Sequence, residues 1–120
     1  KEIYSIKPIL EEAEVLAIQE HIRNGVRVSD ELLDYFLDLI GATRNNPFIQ
    51  AGLSTRGALA LIQTAKANAY LQGKDFVVPE NVKAVAPYVI PHRVLFREEY
   101  DGESKKEILL SILRDLPVPV

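Results

Sequence analysis

The sequence predicts an all-α fold, a compact bundle of about five helices, and three observations carry that expectation. Apolar residues recur at three- and four-residue spacing in five segments. Asn, Gly and Pro, which stop helices, cluster between those segments. No alternating run is long enough to make a convincing sheet.

Each element has its own local reason. Pro8 suits a first helical position, and Leu10, Val15, Leu16, Ile18, Gln19 and Ile22 supply a stripe, so the first helix is expected from about Pro8 to Arg23. Asn24 and Gly25 stop it. Val26-Arg27-Val28 then reads as a short extended connector ending at Ser29, a good cap. Leu32, Leu33, Phe36, Leu37, Leu39 and Ile40 place a second helix from about Asp30 to Thr43. Between Arg44 and Leu53 lie Asn45, Asn46, Pro47 and Gly52, all turn formers, so this stretch reads as a loop of about ten residues. Loops that long inside compact domains are often functional.

Ser54 caps the third predicted helix, Thr55 to Leu71, which ends before Gly73. Ala58, Leu59, Leu61, Ile62, Ala65, Ala69 and Tyr70 make it apolar almost all round, so it is expected at the centre, covered on several sides. Phe76-Val77-Val78 reads as an extended bridge, and Pro79-Glu80 opens a fourth helix that runs to about Pro87. Pro87 and Pro91 fragment the next stretch of chain. After a turn at Asp101-Gly102, Ser104-Lys105-Lys106-Glu107 has the pattern of a capping box, and Ile108, Leu109, Ile112 and Leu113 give the last helix its apolar face. Residues 1–9 read as a lead-in linker, residues 10–116 as one helical domain, and residues 117–120, with two prolines, as a tail.

Composition narrows the function classes. A chain of 120 residues can bury a core without disulfides, and it has no cysteine for a thiolate zinc site or a thiol nucleophile. A net charge of −3 with scattered Lys and Arg argues against tracking a phosphate backbone. No apolar run approaches the roughly 20 residues that span a bilayer, so no membrane insertion and a cytoplasmic location are expected.

Catalytic motifs are few. There is no phosphate-binding loop of the Walker type, no zincin pair and no nucleophile elbow, so independent catalysis and a bound metal are not expected. His21 and His92 sit in no ligand pattern, and His92-Arg93 follows a proline where contact with a neighbouring domain competes with a structural role. Glu11-Glu12-Glu14 and Glu98-Glu99 read as solvated faces.

Arg56 stands apart. It falls in the first turn of a helix, where the macrodipole favours anions and a cation gains nothing from its own helix. A side chain there leans back toward the N-terminus, so the guanidinium can project past Ser54. Gly52 and Gly57 on either side permit close backbone approach. A planar, permanently charged fork matches phosphate oxygens. It equally matches a carboxylate, Asp30, Asp34 or one in a loop, in a pairing that would steady the domain, and the residues alone leave phosphate and carboxylate open.

The run GLSTRGALALIQTAKANAYLQGKDFVVPENVKAVAPYVIPHRV resembles the C-terminal helical lid of MoxR-type AAA+ ATPases, in which a Gly-x-Ser-x-Arg run opens the sensor 2 helix. The helix from Leu32 to Arg44, the Thr43-Arg44-Asn45 turn and the Pro79-Glu80-x-Val82-Lys83 start extend the likeness over nearly the whole chain. Three positions depart from the pattern. Thr55 stands where proline is common, Gly57 where alanine or serine is common, and Val78 where threonine usually caps, the last costing about 1 kcal/mol.

The resemblance implies an AAA+ lid-like bundle that follows an N-terminal ATPase core holding the Walker motifs, sensor 1, ATP and Mg2+. It implies that Arg56 contacts the γ-phosphate as the catalytic residue, with Ser54 and Gly52 beside it as cofactor-binding residues, in cis or, as in related ATPases with a displaced lid, on a neighbouring subunit's nucleotide. It further implies a homo-oligomeric, hexameric ring, chaperone-like remodelling, and partners with von Willebrand factor A domains. The fragment alone is expected to bind no cofactor. A free-standing helical interaction module with no nucleotide role is the alternative from another class.

Overall fold

The computed structural model describes residues 8–97 and 102–119. The expected lead-in up to Lys7, the Glu98-Glu99 pair and Asp101 lie outside the described residues. Five α-helices appear among the described residues: α1 Glu12–Gly25, α2 Asp30–Arg44, α3 Thr55–Leu71, α4 Pro79–Val89 and α5 Gly102–Asp115. A 3₁₀ turn, Ile90–His92, follows α4.

The caps explain most of these boundaries. Ser29 accepts the Leu32 N–H at the start of α2, and Ser54 accepts the Gly57 N–H at the start of α3. Gly73, at φ 76°, takes the left-handed conformation just past α3. Val78 has no side chain able to cap α4, and Asn81 acts in reverse: its Oδ1 accepts the Val78 N–H at 2.9 Å.

Several expectations need correction. The first helix begins at Glu12 rather than Pro8, with Glu11 as cap and its N–H held by Glu14 Oε1 at 2.8 Å. Its apolar stripe is only partly covered: Ile18 and Ile22 are half-buried, Leu16 is 57% exposed and no α1 residue is fully buried. Pro87 lies within the last turn of α4, where the Ile90 N–H still reaches the Ala86 carbonyl. Ser104 is the third residue of α5, so it is not the cap. The expected loop contains a strand, β1 Ile49–Ala51, paired antiparallel with β2 Leu95–Phe96 through an irregular register. That pairing joins segments far apart in sequence, and three residues are too few to show an alternating pattern. A second tie links the two predicted extended connectors, where Arg27 and Phe76 form an isolated parallel bridge.

The core lies among α2, α3, α4 and α5. Phe36 and Leu39 of α2, Leu61 and Ala65 of α3, Val82 and Ala86 of α4, and Leu109 of α5 are at most 1% exposed. Helix α3 is buried along one stripe, Gly57, Leu61, Ala65 and Ala69. Ala58, Ile62 and Tyr70 are half-buried beside that stripe, and α1 as well as α4 packs on the helix, so it is covered on more than one side, while Leu59 and Leu71 face solvent. Small alanines let α4 come close on the buried stripe, while an exposed leucine on the other face costs little.

Candidate functional site

Four local contacts determine where the third helix begins. Thr43, fully buried at the end of α2, donates its hydroxyl to the Ile40 carbonyl at 2.7 Å and accepts the Leu53 N–H at 3.1 Å. Arg44 Nε donates to the Leu53 carbonyl at 2.8 Å. Both polar groups of Leu53's backbone are therefore held by α2, and the Leu53 side chain is 1% exposed. One residue later, Ser54 caps α3. The helix start is a fixed point of the core rather than the free end of a loop.

Gly52 makes this staple possible. A Cβ there would stand 2.6 Å from the Thr43 carbonyl oxygen and 2.7 Å from the Arg44 Cα and N, all backbone atoms that cannot yield. Gly57 plays a lesser part. A Cβ at that position would stand 3.0 Å from Leu53 Cδ2 and 3.5 Å from Arg93 Cβ and Cδ, which places the Arg93 stem across the first turn of α3.

Arg56 emerges between these contacts, exposed, at the second residue of α3. The carboxylate partner that the residues left open is absent: among the described residues the one ion pair joins His21 Nε2 to Asp75 Oδ1 at 3.5 Å. Arg93 is exposed and likewise unpaired among the described residues, its backbone N–H held by Ile90 at 2.9 Å. Of the predicted site residues, Gly52, Ser54 and Arg56 thus come together at one helix end. Thr43 and Arg44 were missed as its anchors, although the Thr43-Arg44-Asn45 turn was part of the family likeness. Their role depends on a bond across the loop, which no local pattern records. His21 stands elsewhere, tilted at 58° against the Tyr70 ring with centroids 5.5 Å apart.

Among the described residues no group of three or more His, Asp or Glu could hold a metal ion, and no helix is long and apolar enough to cross a membrane.

A compact five-helix bundle with a two-stranded tie is the architecture of an AAA+ lid. The AAA lid domain family model matches residues 41–112, and the chain belongs to that family. Within it the chain is of the MoxR type. It is 31% identical over 120 residues to the uncharacterised protein YeaC of Bacillus subtilis, covering 98% of this chain and 37% of that protein. It is 31% identical over 124 residues to chaperone MoxR1 of Mycobacterium tuberculosis, covering 94% of this chain and 33% of that protein. The crystal structure of a candidate ATPase from Cytophaga hutchinsonii superposes with a TM-score of 0.85 at 32% identity, covering 98% of this chain and 38% of that one. The chain thus spans little more than a third of the length of these relatives.

Proposed function

We propose that this lid supplies Arg56 as the sensor 2 arginine of a MoxR-type ATPase, contacting the γ-phosphate of ATP and coupling nucleotide state to lid position. The observation that carries the reading is an exposed arginine, without a carboxylate among the described residues, held at the anchored start of α3. Ser54 and Gly52 serve by determining that start, Ser54 through its cap and Gly52 through its backbone approach to α2. The Walker motifs, sensor 1 and the Mg2+ ligands belong in this reading to an N-terminal ATPase core. The complete ATPase works as a homo-oligomeric ring, a hexamer, in the cytoplasm, remodelling client proteins in the manner of a chaperone. The name chaperone MoxR1, carried by one relative, supports that last step. Proteins with von Willebrand factor A domains are its proposed partners.

An arginine on a transferring phosphoryl group is worth about 10³ to 10⁵ in rate. Arg56→Ala in the full-length ATPase is therefore expected to remove nearly all turnover while the melting temperature stays unchanged, because the side chain is exposed and unpaired. Mixing Arg56→Ala subunits with subunits defective in the Walker lysine separates a cis arrangement from a trans one. Turnover at the wild-type rate in the Arg56→Ala ring would overturn the assignment.

A further inference from the structure

Two segments that the sequence marks only as extended connectors meet in the Arg27–Phe76 bridge, and that bridge leaves an open edge. Arg27 uses both of its main-chain groups there: its N–H donates to the Asp75 carbonyl at 2.8 Å and its carbonyl accepts the Val77 N–H at 2.9 Å. In an extended chain successive residues turn their N–H and C=O to opposite sides, so Val26 and Val28 present theirs away from the bridge. The Val26 carbonyl and both main-chain groups of Val28 make no hydrogen bond among the described residues. Val26 is 2% exposed and Val28 is half-buried, so these groups are largely withdrawn from water, where a main-chain group without a partner is uncommon.

The same residues line a groove of about 690 Å³ together with Lys66 and Phe76. Its charge is of one sign. Arg27 is exposed with no carboxylate partner among the described residues, Lys66 keeps its charge while donating to the Arg23 carbonyl, and no Asp or Glu lines the groove. Of the acidic residues next to it in sequence, Asp75 faces His21 at 3.5 Å and Asp30 stands in the first turn of α2. Phe76, 48% exposed, adds an aromatic surface. Main-chain acceptors and a donor at strand spacing, beside an aromatic ring and two cations, together match a ligand that is itself a polypeptide. Its N–H groups meet the carbonyls, its C=O meets the Val28 N–H, and a carboxylate meets Arg27. A small anion would leave the carbonyls unpaired, and an apolar molecule would leave both carbonyls and cations unanswered.

We propose that this groove docks an extended, acidic segment of a partner polypeptide, which pairs with Val26 and Val28 along their free edge, lays an apolar side chain on Phe76 and turns a carboxylate to Arg27. Main-chain pairing supplies the affinity in such strand addition, and side chains at alternate positions supply the preference. The volume suits a segment of a few residues rather than one side chain.

The test is an NMR titration of isotope-labelled protein with the peptide Ac-Glu-Val-Thr-Val-Glu-NH2. A second peptide carries N-methyl groups on its three central residues, which removes main-chain donors on both edges and keeps every side chain. A third has lysine in place of both glutamates. With the first peptide, saturable shifts of the Val28 amide and the Phe76 ring are expected, and hydrogen exchange at the Val28 amide slows. The N-methylated peptide is expected to bind about fivefold more weakly or worse, and the lysine peptide about threefold more weakly. Arg27→Glu, at an exposed side chain, is expected to reverse the preference between glutamate and lysine peptides with the amide spectrum unchanged away from the groove. Equal binding of the N-methylated peptide, no saturable shift at Val28, or an unreversed preference in the folded Arg27→Glu variant would overturn the proposal. So would shifts of the same signals on raising the protein concentration alone, which would seat a second copy of this chain in the groove.

Discussion

Glycine shows most directly how a single residue acts at this site. Gly52 and Gly41 are eleven positions apart in the sequence, yet the same substitution has opposite consequences at each. At Gly52 a Cβ meets three backbone atoms of Thr43 and Arg44 within 2.7 Å, so alanine must push the loop off the end of α2. At Gly41, inside α2, a Cβ meets nothing within 4 Å. We expect Gly52→Ala to cost about 1–3 kcal/mol through overpacking and Gly41→Ala to add about 0.5–1 kcal/mol through helix propensity. Urea midpoints of the two variants check both signs, and a harmless Gly52→Ala would rule out the close backbone approach as a constraint. Because the displaced loop carries Ser54 and Arg56, Gly52→Ala should also impair turnover in the full-length ATPase.

At the level of elements, the pairing of α3 with α4 depends on a polar group that a hydrophobic pattern cannot reveal. Asn81 is fully buried, and its Nδ2 donates to Asn68 Oδ1 at 2.7 Å and to Gln72 Oε1 at 2.9 Å. Its Oδ1 accepts the Val78 N–H, so donor and acceptor ends are both satisfied. The same side chain thus supplies the reciprocal half of a capping box at the start of α4, though not the missing threonine cap itself, and pins that helix to the last turn of α3. Helical spacing says which face of α3 is apolar but not that Asn68, among its polar residues, turns toward Asn81. Asn81→Leu keeps the branched shape and the number of side-chain heavy atoms and strands three partners, and a loss of about 1–3 kcal/mol is expected. A denaturant midpoint shifted at constant slope is the readout, and an unchanged midpoint would mean that the network contributes nothing.

The whole molecule is a slab of 51 × 40 × 21 Å. One layer of core serves α2 to α5, and α1 lies outside it with no buried residue. What attaches α1 is confined to its C-terminal end, where Lys66 Nζ donates to the Arg23 carbonyl at 2.9 Å and His21 rests on Tyr70. Helices of this length are marginal without tertiary support. Native-state hydrogen exchange should therefore release the amides of Glu14 to Gln19 first, through local opening, and those of Phe36, Leu39, Leu61 and Val82 last, near the global unfolding free energy. Equal protection in α1 and α4 would contradict this order.

The chain by itself determined whatever depends on neighbours within a turn or two. Ser29, Ser54 and Gly73 mark helix ends as their local chemistry requires, and the spans of α2 and α3 agree with expectation to within a residue. Gly52, Ser54 and Arg56 were legible as one group for the same reason, since five residues hold all three. The tertiary structure alone decided which of these groups had partners. Arg56 has no carboxylate among the described residues, Gly52 is glycine because α2 passes against it, and the α1 stripe that looked like core is covered only in part, at Ile18 and Ile22. Periodicity records that a face is apolar, whereas burial requires a second surface to meet it, and that second surface is distant in sequence.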